Sequence, residues 1–177
     1  MTGIEIKPLS ASPKLSEALG TMLMDVVAGG GSVGFMHPLS PERARAFWDG
    51  VLAAADRGER IVLGAFDDGT LVATVSLILD LPPNQPHRAE IGKMMTRPSH
   101  RGRGIASALM RKAESLAIEK GRTLLVLDTA ADEGAPEFYE RLGYTLTGEI
   151  PDYALKPLGG LTATRIYWKR IGGATPR

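Results

Sequence analysis

The 177-residue sequence contains no cysteine. That excludes disulfides, thiolate-held zinc, iron–sulfur clusters and a thiol nucleophile. Net charge is nearly absent, because 21 Lys and Arg face 20 Asp and Glu. No global basic field is available to hold nucleic acid or an anionic membrane. Long apolar runs are also missing. The longest, Leu71 to Leu79, falls far short of the ~20 residues that span a bilayer. The stretch Met1 to Pro8 lacks the apolar core of a signal peptide, so the cytoplasm is the expected location. His37, His87 and His100 lie far apart with no H-x-x-x-H pair, and no metal site is expected. What remains is globular balance, 44% hydrophobic and 23% charged, enough for a core without covalent staples.

Periodicity gives the elements. Ile4 to Leu9 alternates as a strand, and Ser10 or Ser12 caps a helix from about Pro13 to Val27. Gly29-Gly30-Gly31 ends it, and a loop to Leu39 follows. Ser40-Pro41-Glu42 opens a second helix to about Ala55. Arg60 to Phe66 and Leu71 to Leu79 form a hairpin about Asp67-Asp68-Gly69. His87 to Thr96 is a strand halted by Pro98. A glycine-rich turn then leads into a helix to about Lys120. Leu124 to Leu127 is all apolar, which predicts a strand buried on both faces. A short helix from Ala135 to Leu142 and strands at Tyr144–Ile150 and Thr162–Ile171 complete the chain. The order β-α-α-β-β-β-α-β-α-β-β predicts an α/β fold, a mixed sheet with helices on its faces, in one domain over 1–177.

Between Ile91 and Ala113 stand six basic residues and no acidic one: Lys93, Arg97, Arg101, Arg103, Arg111 and Lys112. This window sits where a strand passes through glycines to a helix. Free N–H groups at a helix start bind phosphate, and glycines let the backbone approach closely. A phosphate or pyrophosphate site is therefore expected here. A P-loop motif is absent, and the dinucleotide fingerprint fails because Ser107 stands at its third glycine. Gly30-x-Ser32-x-Gly34 matches a nucleophile elbow in letters only, since a helix precedes it and a loop follows.

The spacing Arg101-x-x-Gly104-x-Ala106 resembles the coenzyme A motif of the GNAT superfamily of N-acetyltransferases. Met94-x-Thr96-x-Pro98 before it, and Ala135-x-x-Phe138-Tyr139-x-x-x-Gly143-Tyr144 after it, resemble the flanking parts of that family's pattern. Gly29 to Met36, Arg88-Ala89-Glu90, Leu127-Asp128-Thr129 and Gly148-Glu149-Ile150-Pro151-x-Tyr153 are similar to stretches of its tabtoxin-resistance subgroup. One departure stands out. Relatives often carry an asparagine just after the buried strand, whereas Asp128 to Asp132 has none.

The resemblance implies an acetyl-CoA-dependent N-acetyltransferase, working without metal on a small-molecule amine, as monomer or homodimer. A toxin or antimetabolite acceptor, hence a resistance role, follows from the subgroup. A protein or peptide N-acetyltransferase and a non-catalytic acyl-CoA sensor are the alternatives on the same fold. The implied cofactor residues are Met94, Met95, Thr96, Arg101, Gly102, Arg103, Gly104, Ile105 and Ala106. Tyr139 is implied as the general acid at the departing sulfur, against simple packing beside Phe138. Glu90 and Asp128 are candidates for taking the amine proton. Their expected setting, in or at the end of an apolar strand, would raise a carboxylate's pKa. For Glu90 the competing role is a salt bridge to Arg88 or Lys93, and for Asp128 a turn residue before Thr129. Ser32, Phe35 and Met36, on a loop expected to gain mobility from its glycines, are candidates for the substrate wall.

Overall fold

The computed structural model describes residues 3–132 and 134–173. Its elements are β1 (Glu5–Pro8), α1 (Pro13–Ala28), α2 (Pro41–Asp56), β2 (Arg60–Asp67), β3 (Thr70–Ile78), β4 (Arg88–Thr96), α3 (Ile105–Glu119), β5 (Leu124–Ala130), α4 (Ala135–Arg141), β6 (Thr145–Leu155) and β7 (Leu161–Arg170). The order is the expected one, with a single 3-10 turn at Pro98–His100 added. Local chemistry explains the helix starts. Ser12 accepts from the Leu15 N–H and Ser40 from the Arg43 N–H, each ahead of a proline at the first helical position.

The strands form one seven-stranded sheet in the order β1-β2-β3-β4-β5-β7-β6. Every neighbouring pair is antiparallel except β4 and β5. One face buries Ala89, Ile91, Leu125, Leu127 and Tyr167 against α3 residues Leu109, Met110 and Ala113. The other buries Val62, Phe66, Leu71 and Met95 against α1 and α2, around Leu19, Leu23 and the fully buried Trp48.

Three expectations need correction. The strand at Leu124 continues to Ala130, so Asp128 lies inside it, paired opposite Ile166. Only Leu125 and Leu127 are buried, and Leu124 and Val126 on the other face are partly exposed, because α1 and α2 pack over β2, β3 and β4. Strand β6 extends to Leu155 through Pro151 and Asp152. A register irregularity between Ile150 and Ala154 lets this edge strand carry a proline.

The sheet opens between its two parallel strands. Pairing of β4 with β5 covers only Arg88–Leu124, Ala89–Leu125 and Glu90–Val126. Past Glu90, β4 bulges against β3. Gly92 opposes Ser76 and Met95 opposes Thr74, so Lys93 and Met94 together face Val75. A bulge bends and twists its strand. Strand β4 thereby leaves β5, and its edge from Ile91 onward carries backbone groups without a partner strand.

Candidate active site

A cavity of about 300 Å³ occupies that opening. Ile91 to Met94 form one wall and Asp128 to Ala130 the opposite one. Tyr139 of α4 contributes from the core side. Ser32 to Phe35 close it from the loop between α1 and α2, and Tyr153 to Leu155 with Thr162 to Thr164 close it from the β6–β7 hairpin.

Tyr139 is 7% exposed and packs edge-on against Phe138 and Tyr144, with ring centroids 5.0 and 5.9 Å away. Among the described residues its hydroxyl has no hydrogen-bond partner, although its side chain lines the cavity. Burial, and then the negative charge of Asp128, push its pKa up from 10.0 to about 12. It therefore holds its proton throughout the neutral range. Helix α4 is fixed to β7 by two contacts that position this tyrosine. Tyr167 donates to Glu140 at 3.0 Å, and Lys169 donates to the Leu142 carbonyl at 2.7 Å.

Asp128 accepts from the Thr164 hydroxyl at 3.0 Å, and its side chain is exposed to the cavity. Glu90 does not line that cavity. It faces an adjoining hollow of about 170 Å³, which Asp128 also lines. Glu90, Val126 and Asp128 point to the same face, because Glu90 pairs with Val126 and side chains alternate along a strand. Arg88 donates to Glu90 at 2.7 Å, so the competing salt bridge exists, with the Glu90 side chain 40% exposed. The expected desolvation of the two carboxylates is therefore missing: both keep access to water.

The glycine-rich turn provides an open cradle. Gly102 and Gly104 have φ of 74° and 76°, and a Cβ at either would meet nothing within 4 Å. Gly104 is the N-cap of α3 with no side-chain cap, and its carbonyl already accepts from the Ala108 N–H. The first N–H groups of the helix, from Ile105 and Ala106 onward, thus face outward without intrahelical partners. The basic window is not uniformly free. Arg103 is bound to Asp67 at 2.9 Å, and Arg97 donates to the Leu71 carbonyl. Arg101 stays exposed and donates to the Thr96 carbonyl at 3.4 Å. Met94 lines the cavity, whereas the Met95 side chain is buried in the α1–α2 core.

Ser32 and Phe35 line the cavity, and Phe35 packs edge-on to Phe47 at 5.0 Å. Met36 does not; its side chain is 46% exposed and points elsewhere. Within this loop Gly30 and Gly34 take a positive φ of 89°, and Gly31 serves close packing. A Cβ at Gly31 would sit 2.6 Å from Val26 Cγ1, and the Gly30 and Gly31 N–H groups bond the Val27 and Val26 carbonyls. The hairpin is tied down as well. His37 N–H donates to the Pro157 carbonyl, and Lys156 pairs with Asp132, which also accepts from Thr162. Asp132, in the stretch that lacks the asparagine, thus anchors the hairpin. Its carboxyl is held below its ordinary value chiefly by the Lys156 hydrogen bond.

Sequence reasoning assigned no site role to the hairpin wall or to Lys93. In the sequence Lys93 reads as one charge in a basic window and as a candidate partner of Glu90, yet it stands in the cavity, its Nζ 5.6 Å from the Phe47 ring centroid. Burial lowers its pKa; Asp128 works against that shift and Arg60 with it. The bulge that turns Lys93 inward depends on pairing with β3, which no local pattern records. Among the described residues no three His, Asp or Glu side chains gather to hold a metal ion. No described helix is long and apolar enough to cross a membrane.

Known proteins share this fold. An N-acetyltransferase from Staphylococcus aureus Mu50 superposes with a TM-score of 0.80 at 17% identity, over 95% of this chain and 98% of its own. The Salmonella typhimurium protein yncA, solved with its cofactor acetyl-CoA, also gives 0.80, at 15% identity over 99% and 98%. At such identities these likenesses speak for the fold. In sequence, N-acetyltransferase 8 of Rattus norvegicus is 34% identical over 97 residues, 54% of this chain. The match spans 43% of that relative's length. The profile of the Acetyltransferase (GNAT) family matches residues 31–144, from the loop wall through α4 to Tyr144. The chain belongs to the GNAT acetyltransferase family.

Proposed function

We propose that this chain, as one domain over 1–177, transfers an acetyl group from acetyl-CoA to the amine of a small molecule. The observation that carries the reading is the opening between β4 and β5, with a proton-holding tyrosine on one side and an accessible carboxylate on the other. The open N–H groups at the start of α3 fit a pyrophosphate, with Arg101 beside them. The unpaired edge of β4 at Met94 to Thr96 fits an extended amide-bearing arm by strand-like pairing, and the Met94 N–H would serve as donor to the thioester carbonyl.

Acetyl-CoA supplies an activated acyl carbon and a good leaving group. Asp128, directly or through one water, takes the proton that the acceptor ammonium must lose before its nitrogen can attack. As the new C–N bond forms and the C–S bond breaks, the nitrogen releases its second proton to solvent, and Tyr139 donates its own proton to the departing sulfur and recovers one from solvent. Glu90 is a second acceptor on the same face, reached through the adjoining hollow. Ser32 and Phe35 bound the acceptor side.

A walled cavity supports a small acceptor over a peptide, since loop and hairpin close the sides along which a peptide would run. The likeness of Gly29 to Met36, Arg88 to Glu90, Leu127 to Thr129 and Gly148 to Tyr153 to the tabtoxin-resistance subgroup supports a toxin or antimetabolite acceptor, in a cytoplasmic protein. The deciding experiment is a screen of amino acids, polyamines and amine antibiotics with acetyl-CoA, read by thiol release. Amine-dependent release is the expected result. Tight acetyl-CoA binding without release under any amine would make the chain a sensor.

A further inference from the structure

Lys93 carries two costs at once. It adopts φ 51°, a left-handed conformation that disfavours any residue with a Cβ, next to a glycine at 92. Its half-buried ammonium has no carboxylate within 4 Å among the described residues, so its desolvation is not repaid by an ion pair. The nearby Phe47 ring returns little at 5.6 Å. Asp128, on the opposite wall of the same cavity, lies beyond ion-pair distance but near enough to attract it. The cavity therefore presents one cation and one anion, held apart, on either side of a space of about 300 Å³.

We infer that Lys93 is the acceptor's anion-binding residue, and that the acceptor is an α-amino acid or a close analogue, its carboxylate on Lys93 and its amine toward Asp128. This rests on the acetyl-transfer reading and sharpens its substrate class. A zwitterion neutralises both walls. A simple amine or polyamine meets a repelling cation, and a phosphate dianion would face one lysine and one opposing aspartate, leaving charge uncompensated in a partly dry site. The Gly34 Cα lies alongside; a Cβ there would come 3.7 Å from the Lys93 Nζ. The glycine keeps the space beside the ammonium clear.

The test compares α-amino acids with their own carboxamides as acceptors, in the wild type and in Lys93→Met. Lys93→Gly serves as a second variant, since glycine relaxes at φ 51° and removes the charge without strain. The wild type is expected to favour the acids in kcat/KM. Loss of one charge-assisted contact should reduce that preference by about 10- to 100-fold, mainly through KM. Lys93→Arg should keep most of it. Binding of N-acetyl amino acids in the presence of coenzyme A, read by thermal shift, should weaken in parallel in the two neutral variants. These products have a carboxylate but no basic amine, so their binding isolates Lys93 from Asp128. Acids and carboxamides used equally by the wild type, or a preference that survives both neutral variants, would overturn the assignment while leaving acetyl transfer intact. Absence of turnover with every amine would instead overturn the acetyl-transfer reading, and this inference with it.

Discussion

The Tyr139 hydroxyl keeps its proton because its ring is walled in by Phe138, Tyr144 and Tyr167, where the charged phenolate is poorly solvated. Tyr139→Phe is expected to lower kcat about 100-fold, the low end for a positioned acid because thiolate leaves readily, with KM for acetyl-CoA little changed. Steady-state kinetics with chemistry shown to be rate-limiting checks this; unchanged kcat would mean the ring only packs. The same shift has a stability consequence. Between pH 10 and about 12 the unfolded chain loses this proton while the folded chain retains it, so stability falls as pH rises through that window. Tyr144 and Tyr167, also raised mainly by burial, act in the same direction. Tyr139→Phe should therefore lessen the alkaline fall in melting temperature without abolishing it. The carboxylates should differ. Asp128→Asn is expected to cost about 100-fold in kcat/KM. Glu90→Gln should cost only severalfold, since Glu90 is paired with Arg88 and opens on the smaller hollow. The double variant should fall below either. Equal losses in the two single variants would put both carboxylates on the proton path.

At the scale of elements, a short helix is made dependable by its neighbours. Helix α4 runs only from Ala135 to Arg141, too short to be stable by itself. Its position comes from β7. Lys169 donates to the Leu142 carbonyl at the end of α4 and to Glu114 of α3, and so joins both helices to the sheet. The Glu114 side chain is 16% exposed, so removing Lys169 leaves a partly buried carboxylate without its partner. Lys169→Met is expected to destabilise the fold by about 2–4 kcal/mol in denaturant titration. Because Leu142 loses its anchor, kcat should fall as well, although Lys169 touches no reacting atom. An unchanged unfolding midpoint would show that Tyr167 and Glu140 hold α4 sufficiently alone.

The whole molecule divides its work across the sheet opening. The start of α3 follows β4 through the Arg101–Ala106 turn, and the cavity proposed for the acceptor lies between loop and hairpin. Ligand binding to the folded state alone adds about 2.7 kcal/mol at 100 times Kd. For a chain of this size that is about 5–10 °C in Tm. Acetyl-CoA should produce such a shift in the wild type. Gly104→Asp should abolish it, through strain at φ 76° and a carboxylate placed against the pyrophosphate. A full shift in that variant would place the cofactor elsewhere.

The sequence alone determined the element order, since caps, prolines and apolar periods are local signals that the tertiary fold did not override. It also marked the glycine turn ahead of α3, because Gly102 and Gly104 are needed wherever the backbone takes a positive φ at a helix start. Tertiary structure decided the rest. Whether Arg103 faces a ligand or Asp67 depends on the β2–β3 turn arriving beside it. Whether Asp128 ends a strand or lies within one depends on pairing with β7. Lys93 enters the cavity only because β4 bulges against β3, and the hairpin becomes a wall only because Asp132 and His37 tie it across the opening. These are contacts between residues distant along the chain, and a periodic pattern in one segment carries no record of the partner that arrives from another.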